Sequence, residues 1–149
     1  MTDSKIVCQG VWKIFGPTPA RIAATITPQM TRSHVLESTG HVLAVRDVSF
    51  AVEEGEIFVV MGLSGSGKST LIRCLSRLVD PTLGSILVKG EDVTKMNDEQ
   101  LRLLRRNRMS MVFQRFGLFS HRRVLDNIAY GLEVQGLPKE KRLARAREI

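Results

Sequence analysis

The chain has 149 residues, of which 43% are apolar and 25% charged, and its net charge is +7. This composition predicts one globular domain with a buried core and excludes disordered and fibrous proteins. No segment approaches the ~20 consecutive apolar residues of a membrane span, and the first residues lack the apolar stretch of a secretory signal. Because Cys8 and Cys74 show no metal or redox spacing, we interpret them as buried thiols and expect a soluble cytosolic protein.

The first third of the chain predicts two β-strands separated by an insertion. Residues 6–15 mix β-branched and aromatic side chains, and residues 43–52 alternate in part between apolar and polar. Between them, residues 17–40 are rich in Thr, Pro and Ala. Thr31 is a favoured helix N-cap and Gly40 a favoured C-terminal residue, so the insertion is expected to contain a short helix.

The rest of the chain predicts alternating strands and helices after the antiparallel β segment. Residues 57–61 and 109–113 are continuous apolar runs, typical of parallel strands buried on both faces. The other expected elements are a helix at about 68–78, a strand at 85–88, a helix from Asn97 to about Arg106 that an Asn97–Gln100 capping box opens, a helix over 124–135 and a last helix from Lys139.

Residues 62–69 match the phosphate-loop pattern G-x-x-x-x-G-K-[ST] at every fixed position. The motif follows a predicted buried strand and opens a predicted helix, as a phosphate loop does. Its glycines let successive backbone N–H groups point inward, which forms an anion nest at a helix N-terminus. Lys68 places a positive charge on the β- and γ-phosphates, and the Ser69 hydroxyl can bind Mg²⁺. Many enzyme classes share this loop, so it predicts nucleotide binding without fixing the reaction.

Further motifs resemble the ATP-binding subunit of ABC transporters over essentially the whole chain. Residues 48–70 are similar to the family's strand, Gly-Glu turn and Walker A loop. Residues 80–86 are similar to the family's segment after the helix that follows this loop. Residues 111–114 resemble the Q-loop, and residues 121–133 its continuation into a helical subdomain. The resemblance implies an α/β fold of the P-loop NTPase type with an N-terminal antiparallel β segment.

The same resemblance implies three parts of one ATP-binding domain. Residues 1–56 would form the antiparallel β segment, with a helical insertion at about 17–40. Residues 57–114 would form the P-loop core through the Q-loop, and residues 115–149 the start of the helical subdomain. No segment after Gln114 resembles the family's LSGGQ-like signature, its Walker B strand or its switch histidine. We therefore expect a chain truncated before these regions, unable to turn over ATP alone, with residues 57–61 and 109–113 as exposed apolar edges.

The N-terminal insertion narrows the resemblance to one group within this family. Residues 12–16, the insertion and residues 38–40 resemble importers of glycine betaine, proline and related quaternary amines, whereas most ABC ATPases lack this segment. The resemblance implies ATP and Mg²⁺ as cofactors, and a second ATP-binding subunit and transmembrane permease subunits as partners. A substrate-binding protein would act indirectly, and no nucleic acid is expected. The implied location is peripheral, on the cytoplasmic face of the plasma (inner) membrane.

Site residues carry over from the family by position. The ATP-binding residues implied in this way are Phe15, Gly62, Leu63, Ser64, Gly65, Ser66, Gly67, Lys68, Ser69 and Thr70. Phe15 resembles the aromatic residue that stacks on adenine, with Trp12 as the alternative and simple core packing as the other interpretation. Lys68 and Gln114 are the implied catalytic residues. Ser69 and Gln114 are the implied ligands of Mg²⁺, because Gln114 resembles the residue that reaches Mg²⁺ and the attacking water.

The basic residues near the C-terminus allow other interpretations. Residues 101–149 carry twelve Lys and Arg against four Asp and Glu. Within them, residues 101–108 predict an amphipathic helix with a solvated basic face, or one that contacts anionic lipid headgroups. We interpret His121 as a loop or transporter contact, and the pair Arg122 and Arg123 has no assigned role.

Two alternative functions stay open: a soluble ABC ATPase that acts on nucleic acid or the ribosome, and a non-catalytic truncated nucleotide-binding fragment.

Overall fold

The computed structural model describes residues 4–114 and 117–149. The chain divides into two compact units, Met1–Leu101 and Arg102–Ile149, and each is described by itself. Within the described ranges, none of the helices has the length and apolar character that crossing a membrane requires.

The first unit is built on an antiparallel four-stranded sheet in the order β2-β1-β3-β4. β1 (Ser4–Phe15) pairs with β2 (Val42–Glu53) along one edge and with β3 (Leu83–Val88) along the other. The two-residue β4 (Glu91–Asp92) pairs with β3. The strands predicted at 6–15, 43–52 and 85–88 are therefore confirmed, and all three belong to the antiparallel sheet.

The insertion contains two short helices that pack on this sheet. α1 (Pro19–Ala23) is absent from the sequence prediction, and α2 (Arg32–Thr39) is the helix expected there. Both predicted caps of α2 are confirmed: the Thr31 hydroxyl accepts a hydrogen bond from the His34 N–H at 3.2 Å, and Gly40 has φ 71°. Val35 of α2 is fully buried in a cluster with core residues of β1 and β2, so the insertion is anchored to the sheet.

In the described part of the chain, five further α-helices and one 3-10 turn, Val93–Lys95, follow. The α-helices are α3 (Lys68–Leu75), α4 (Asp98–Asn107), α5 (Val124–Ile128), α6 (Tyr130–Val134) and α7 (Lys139–Arg147). The capping box of α4 is confirmed, because the Asn97 N–H donates to Gln100 Oε1 and the Gln100 N–H donates to Asn97 Oδ1, both at 2.9 Å. The helix predicted over 124–135 is instead the two short helices α5 and α6, which are interrupted at Ala129.

Two predicted strands are wrong. Neither residues 57–61 nor residues 109–113 are assigned to a strand, and their apolar side chains are largely exposed, with Ile57 at 90% and Val112 at 98%. A strand is held by ladder hydrogen bonds to a neighbouring strand, and no described segment pairs with either run. The exposure of apolar surface that we expected at these two runs is confirmed.

Arg122, to which sequence analysis assigned no role, is a central contact of the second unit. Its guanidinium carbon lies 5.2 Å from the ring centroids of both Phe119 and Tyr130. The same guanidinium donates a hydrogen bond to Glu133 Oε2 at 3.2 Å, and Arg142 pairs with that oxygen at 3.1 Å. Arg122 therefore links α6 with the segment that precedes α5, through both ring contacts and an ion pair.

Candidate nucleotide-binding site

The phosphate loop lies in the first unit between residues 57–61 and α3. Gly65 and Gly67 have φ values of 75° and 98°, in the left-handed region that glycine adopts without steric cost. Gly67 also N-caps α3, and a Cβ atom at this position would lie 2.1 Å from the Ala44 carbonyl oxygen. The loop can therefore rest against β2 only because residue 67 has no side chain.

The Lys68 ammonium lies inside the loop. It donates hydrogen bonds to the carbonyl oxygens of Gly62 and Leu63, both at 2.7 Å, and lies 3.4 Å from Ser66 Oγ. These contacts hold a positive charge beside the N-terminus of α3, where the helix dipole also favours an anion. The loop and the first turn of α3 together have the charge and geometry of a phosphate site.

A second cation reaches the loop from the insertion. Arg32, the first residue of α2, donates to the carbonyl oxygens of Gly65 at 3.3 Å, Ser66 at 2.8 Å and Ala44 at 3.2 Å. Sequence reasoning missed this residue, because no motif contains it and its partners lie up to 34 positions away along the chain.

A cavity of about 420 Å³ opens beside the loop. Its lining comes from the end of β1, the start of β2, α2, the loop and the first turn of α3: Phe15, Arg32, Ser33, Leu36, Val42, Leu43, Ala44, Gly65, Ser66, Gly67, Lys68, Ser69 and Thr70. One end of the cavity is therefore cationic and rich in backbone donors, and the other end carries apolar side chains. This arrangement suits a ligand with a phosphate chain and a flat ring.

Phe15 is the aromatic residue that the fold places at this cavity. It is the last residue of β1, pairs in register with Val42 and is 42% exposed. The Lys13 ammonium lies 4.8 Å from its ring centroid. Trp12, the alternative, packs instead against the core cluster that includes Ile14. The geometry thus favours Phe15 over Trp12, and its contact with a base stays a prediction.

The other predicted site residues divide between the two units. Gly62, Leu63 and Ser64 belong to the loop but do not line the cavity. Gln114 is an exposed residue in a bend of the second unit, and its proposed roles stay predictions. His121 is exposed in a turn of the same unit, with its ring 5.8 Å from that of Phe119.

The two cysteines take no part in this site. Both are buried free thiols, as the sequence predicted. Burial raises the pKa of the Cys8 thiol to about 12, and the neighbouring Cys74 adds to the shift. Burial also raises the pKa of Cys74, with Lys13 opposing and Asp80 reinforcing the effect. Thiols with such raised pKa values are poor nucleophiles at neutral pH.

The sequence profile of the ABC transporter family matches residues 45–149, a span that includes the phosphate loop. The chain belongs to the ABC transporter ATPase family. An ABC ATPase of known structure has the same fold: the ATP-binding cassette MJ0796, in a dimeric post-hydrolysis state bound to ADP and Pi. It superposes with a TM-score of 0.74 at 25% identity, covering 96% of this chain and 54% of that one.

Curated ABC transporter relatives extend the similarity over nearly the whole chain. The glycine betaine/proline betaine transport system ATP-binding protein ProV of Escherichia coli is 48% identical over 95% of this chain and 36% of its own length. The trimethylamine N-oxide transport system ATP-binding protein TmoW of Ruegeria pomeroyi is 48% identical over 100% of this chain and 44% of its own. The chain thus spans less than half the length of these relatives, and both alignments include most or all of the insertion.

Proposed function

We propose that the chain is the ATP-binding, energy-coupling part of an ABC importer for glycine betaine, proline or related quaternary amines. The observation that carries this proposal is the 48% identity to ProV over 95% of the chain. TmoW has the same identity, which supports the class of small methylated amines rather than one substrate. The phosphate loop and the cavity beside it support the proposal, because such a subunit needs a site for a nucleotide.

ATP would bind with its phosphates on the loop and its base toward Phe15. The Lys68 ammonium would exchange its carbonyl partners for the β- and γ-phosphate oxygens, a gain because a phosphate oxygen carries negative charge and attracts the ammonium more strongly than a neutral carbonyl oxygen does. The N–H groups at the start of α3 would donate to the same phosphates. The half-exposed Phe15 ring would stack on the adenine, and Leu36 and Val42 would flank it.

The chain's oxygen donors fit Mg²⁺ better than a softer metal. Among residues 4–114 and 117–149, no group of three or more His, Cys, Asp or Glu side chains could hold a metal ion. Mg²⁺ commonly binds through substrate phosphates, waters and only one or two protein oxygens, and the Ser69 hydroxyl and Gln114 amide are such donors. When bound, the ion neutralises charge on the β- and γ-phosphate oxygens.

The partners follow from the same family. We propose that the subunit pairs with a second ATP-binding subunit, in line with the dimeric form of MJ0796. Closing of the two ATP-bound subunits would drive transmembrane permease subunits, and a substrate-binding protein would deliver the amine. The two ATP-binding subunits would lie at the cytoplasmic face of the membrane. Lys68 and Gln114 would act on the γ-phosphate and the attacking water.

Uptake in cells tests this proposal. A bacterial strain that lacks its own betaine importers would receive a complete transporter whose ATP-binding subunit contains this chain, and entry of labelled glycine betaine would be measured at high salt. We expect uptake that Lys68→Ala abolishes and Lys95→Ala leaves unchanged, since the Lys95 side chain is 84% exposed and outside the cavity lining. Competition with unlabelled proline, proline betaine and trimethylamine N-oxide would rank the substrates. Uptake that ignores Lys68→Ala, or co-purification with ribosomes instead of membranes, would refute the assignment.

A further inference from the structure

Arg32 ties the phosphate loop to the sheet. Its Nη2 atom donates to both Ser66 O on the loop and Ala44 O on β2, and its Nη1 atom donates to Gly65 O. A guanidinium carries several donors in a fixed planar fork, so one side chain can hold three carbonyl groups from two segments. A lysine ammonium lacks this fixed planar geometry.

These bonds determine which way the loop's amide groups point. In a trans peptide the C=O and the following N–H point in opposite directions. Holding the Gly65 carbonyl therefore turns the Ser66 N–H to the far side, where it donates across the loop to Leu63 O at 3.2 Å. Holding the Ser66 carbonyl turns the Gly67 N–H in the same way. Arg32 thus binds the carbonyl side of two successive peptide groups in the loop, and their N–H groups point away from it, toward the side on which an anion nest would form.

The helix that carries Arg32 is itself rigidly placed. The Thr31 hydroxyl caps α2, and Val35 is fully buried against Ile14 and Leu43. Ser33 and Leu36 of the same helix line the cavity beside the loop. The insertion therefore forms one wall of the nucleotide cavity and supplies a cation behind the phosphate loop.

We propose that the insertion is a working part of the nucleotide site and that Arg32 is a positioning residue that orders the phosphate loop before ATP binds. This inference rests on the proposed function. A loop already held in its binding conformation loses less conformational freedom when ligand arrives, so the affinity for ATP is higher. The guanidinium also polarises the two peptide groups, which strengthens their N–H donors.

A matched pair of arginine variants tests the role. Arg46 on β2 is the control, because it donates to Met30 O at 2.8 Å and Thr27 O at 2.7 Å, and both of these contacts anchor the insertion rather than the loop. The dissociation constant for ATP would be measured by calorimetry for the purified protein and for Arg32→Met, Arg32→Lys and Arg46→Met. Urea unfolding of each variant would show whether it is folded, and hydrogen exchange would report on the amides of residues 63–67 without nucleotide.

We expect Arg32→Met to weaken ATP binding about tenfold, equivalent to about 1.4 kcal/mol, and to speed exchange of the loop amides. Arg32→Lys should recover part of the affinity, and Arg46→Met should change it less than about twofold. Normal affinity in Arg32→Met, or equal losses in Arg32→Met and Arg46→Met, would overturn the positioning role while leaving the proposed function intact. A parent protein that binds no ATP would instead overturn the proposed function, and the inference with it.

Discussion

Replacing Gly67 by alanine should damage the phosphate loop far more than the same replacement at Gly65. Both residues lie in the loop with positive φ, 98° and 75° respectively. A Cβ atom at residue 67 would lie 2.1 Å from the Ala44 carbonyl oxygen, whereas a Cβ atom at residue 65 would meet nothing within 4 Å. The two variants thus share the backbone strain and differ in the collision with β2.

The expected energies follow from these two effects. Alanine in the left-handed region costs about 1–2 kcal/mol, and this is the whole effect at Gly65. At Gly67 the loop must also move away from Ala44 by more than 1 Å to reach an ordinary contact distance, and overpacking of this kind adds about 1–3 kcal/mol. The movement would also pull Ser66 O and Ala44 O apart, although Arg32 binds both. We therefore expect a loss of about 3 kcal/mol in Gly67→Ala.

Urea unfolding and ATP titration would measure the two variants side by side. Gly65→Ala should unfold at a slightly lower urea concentration and still bind ATP, while Gly67→Ala should show the larger loss of stability and the larger loss of affinity. Equal losses in the two variants would show that backbone strain alone governs the loop and that its contact with β2 is unimportant.

Three further predictions concern other parts of the chain. Burial raises the pKa of Cys8 from 9.0 to about 12, so the thiol of the unfolded chain loses its proton first as the pH rises. The free energy of unfolding should therefore fall as the pH rises from 9.0 to about 12, and Cys8→Ala should reduce this fall. Cys8 and Cys74 should also resist alkylation until urea unfolds the protein. Asn97→Ala removes one half of the α4 capping box and should cost about 1 kcal/mol in urea unfolding; no measurable loss would contradict the cap. Arg122→Ala should lower the thermal unfolding temperature through about 1–2 kcal/mol of lost ring and ion-pair contacts, whereas Arg123→Ala, at an exposed position, should stay within about 0.5 kcal/mol.

The features that sequence predicted well are local ones. The cap of α2 and the capping box of α4 each join residues three positions apart, so the residue types alone determine them. The start of α3 at Lys68 likewise follows from the eight consecutive residues of the phosphate-loop pattern, whose contact with phosphate stays a prediction. At these places the local structure is determined by residues that are neighbours in the sequence, and distant residues contribute little.

The features that sequence missed depend on distant partners. Residues 57–61 have the composition of a buried strand, but a strand also needs a neighbour, and composition says nothing about which segment supplies one. α1 has only five residues, too few to show a helical period. The contacts of Arg32 with Gly65 and Ser66 span 33 and 34 positions, and the role of Arg122 depends on rings and a carboxylate that the fold brings together.

Calorimetric titration of the purified protein with ATP in the presence of Mg²⁺ would show whether the phosphate loop binds nucleotide. We expect saturable binding at one site, weakened at least about tenfold by Lys68→Met because the variant loses charged hydrogen bonds to phosphate. Lys95→Met, at a lysine outside the cavity lining, should bind as the parent does. Binding that is the same in the parent and in Lys68→Met, or no binding in the parent, would contradict the assignment of the phosphate loop as the nucleotide site.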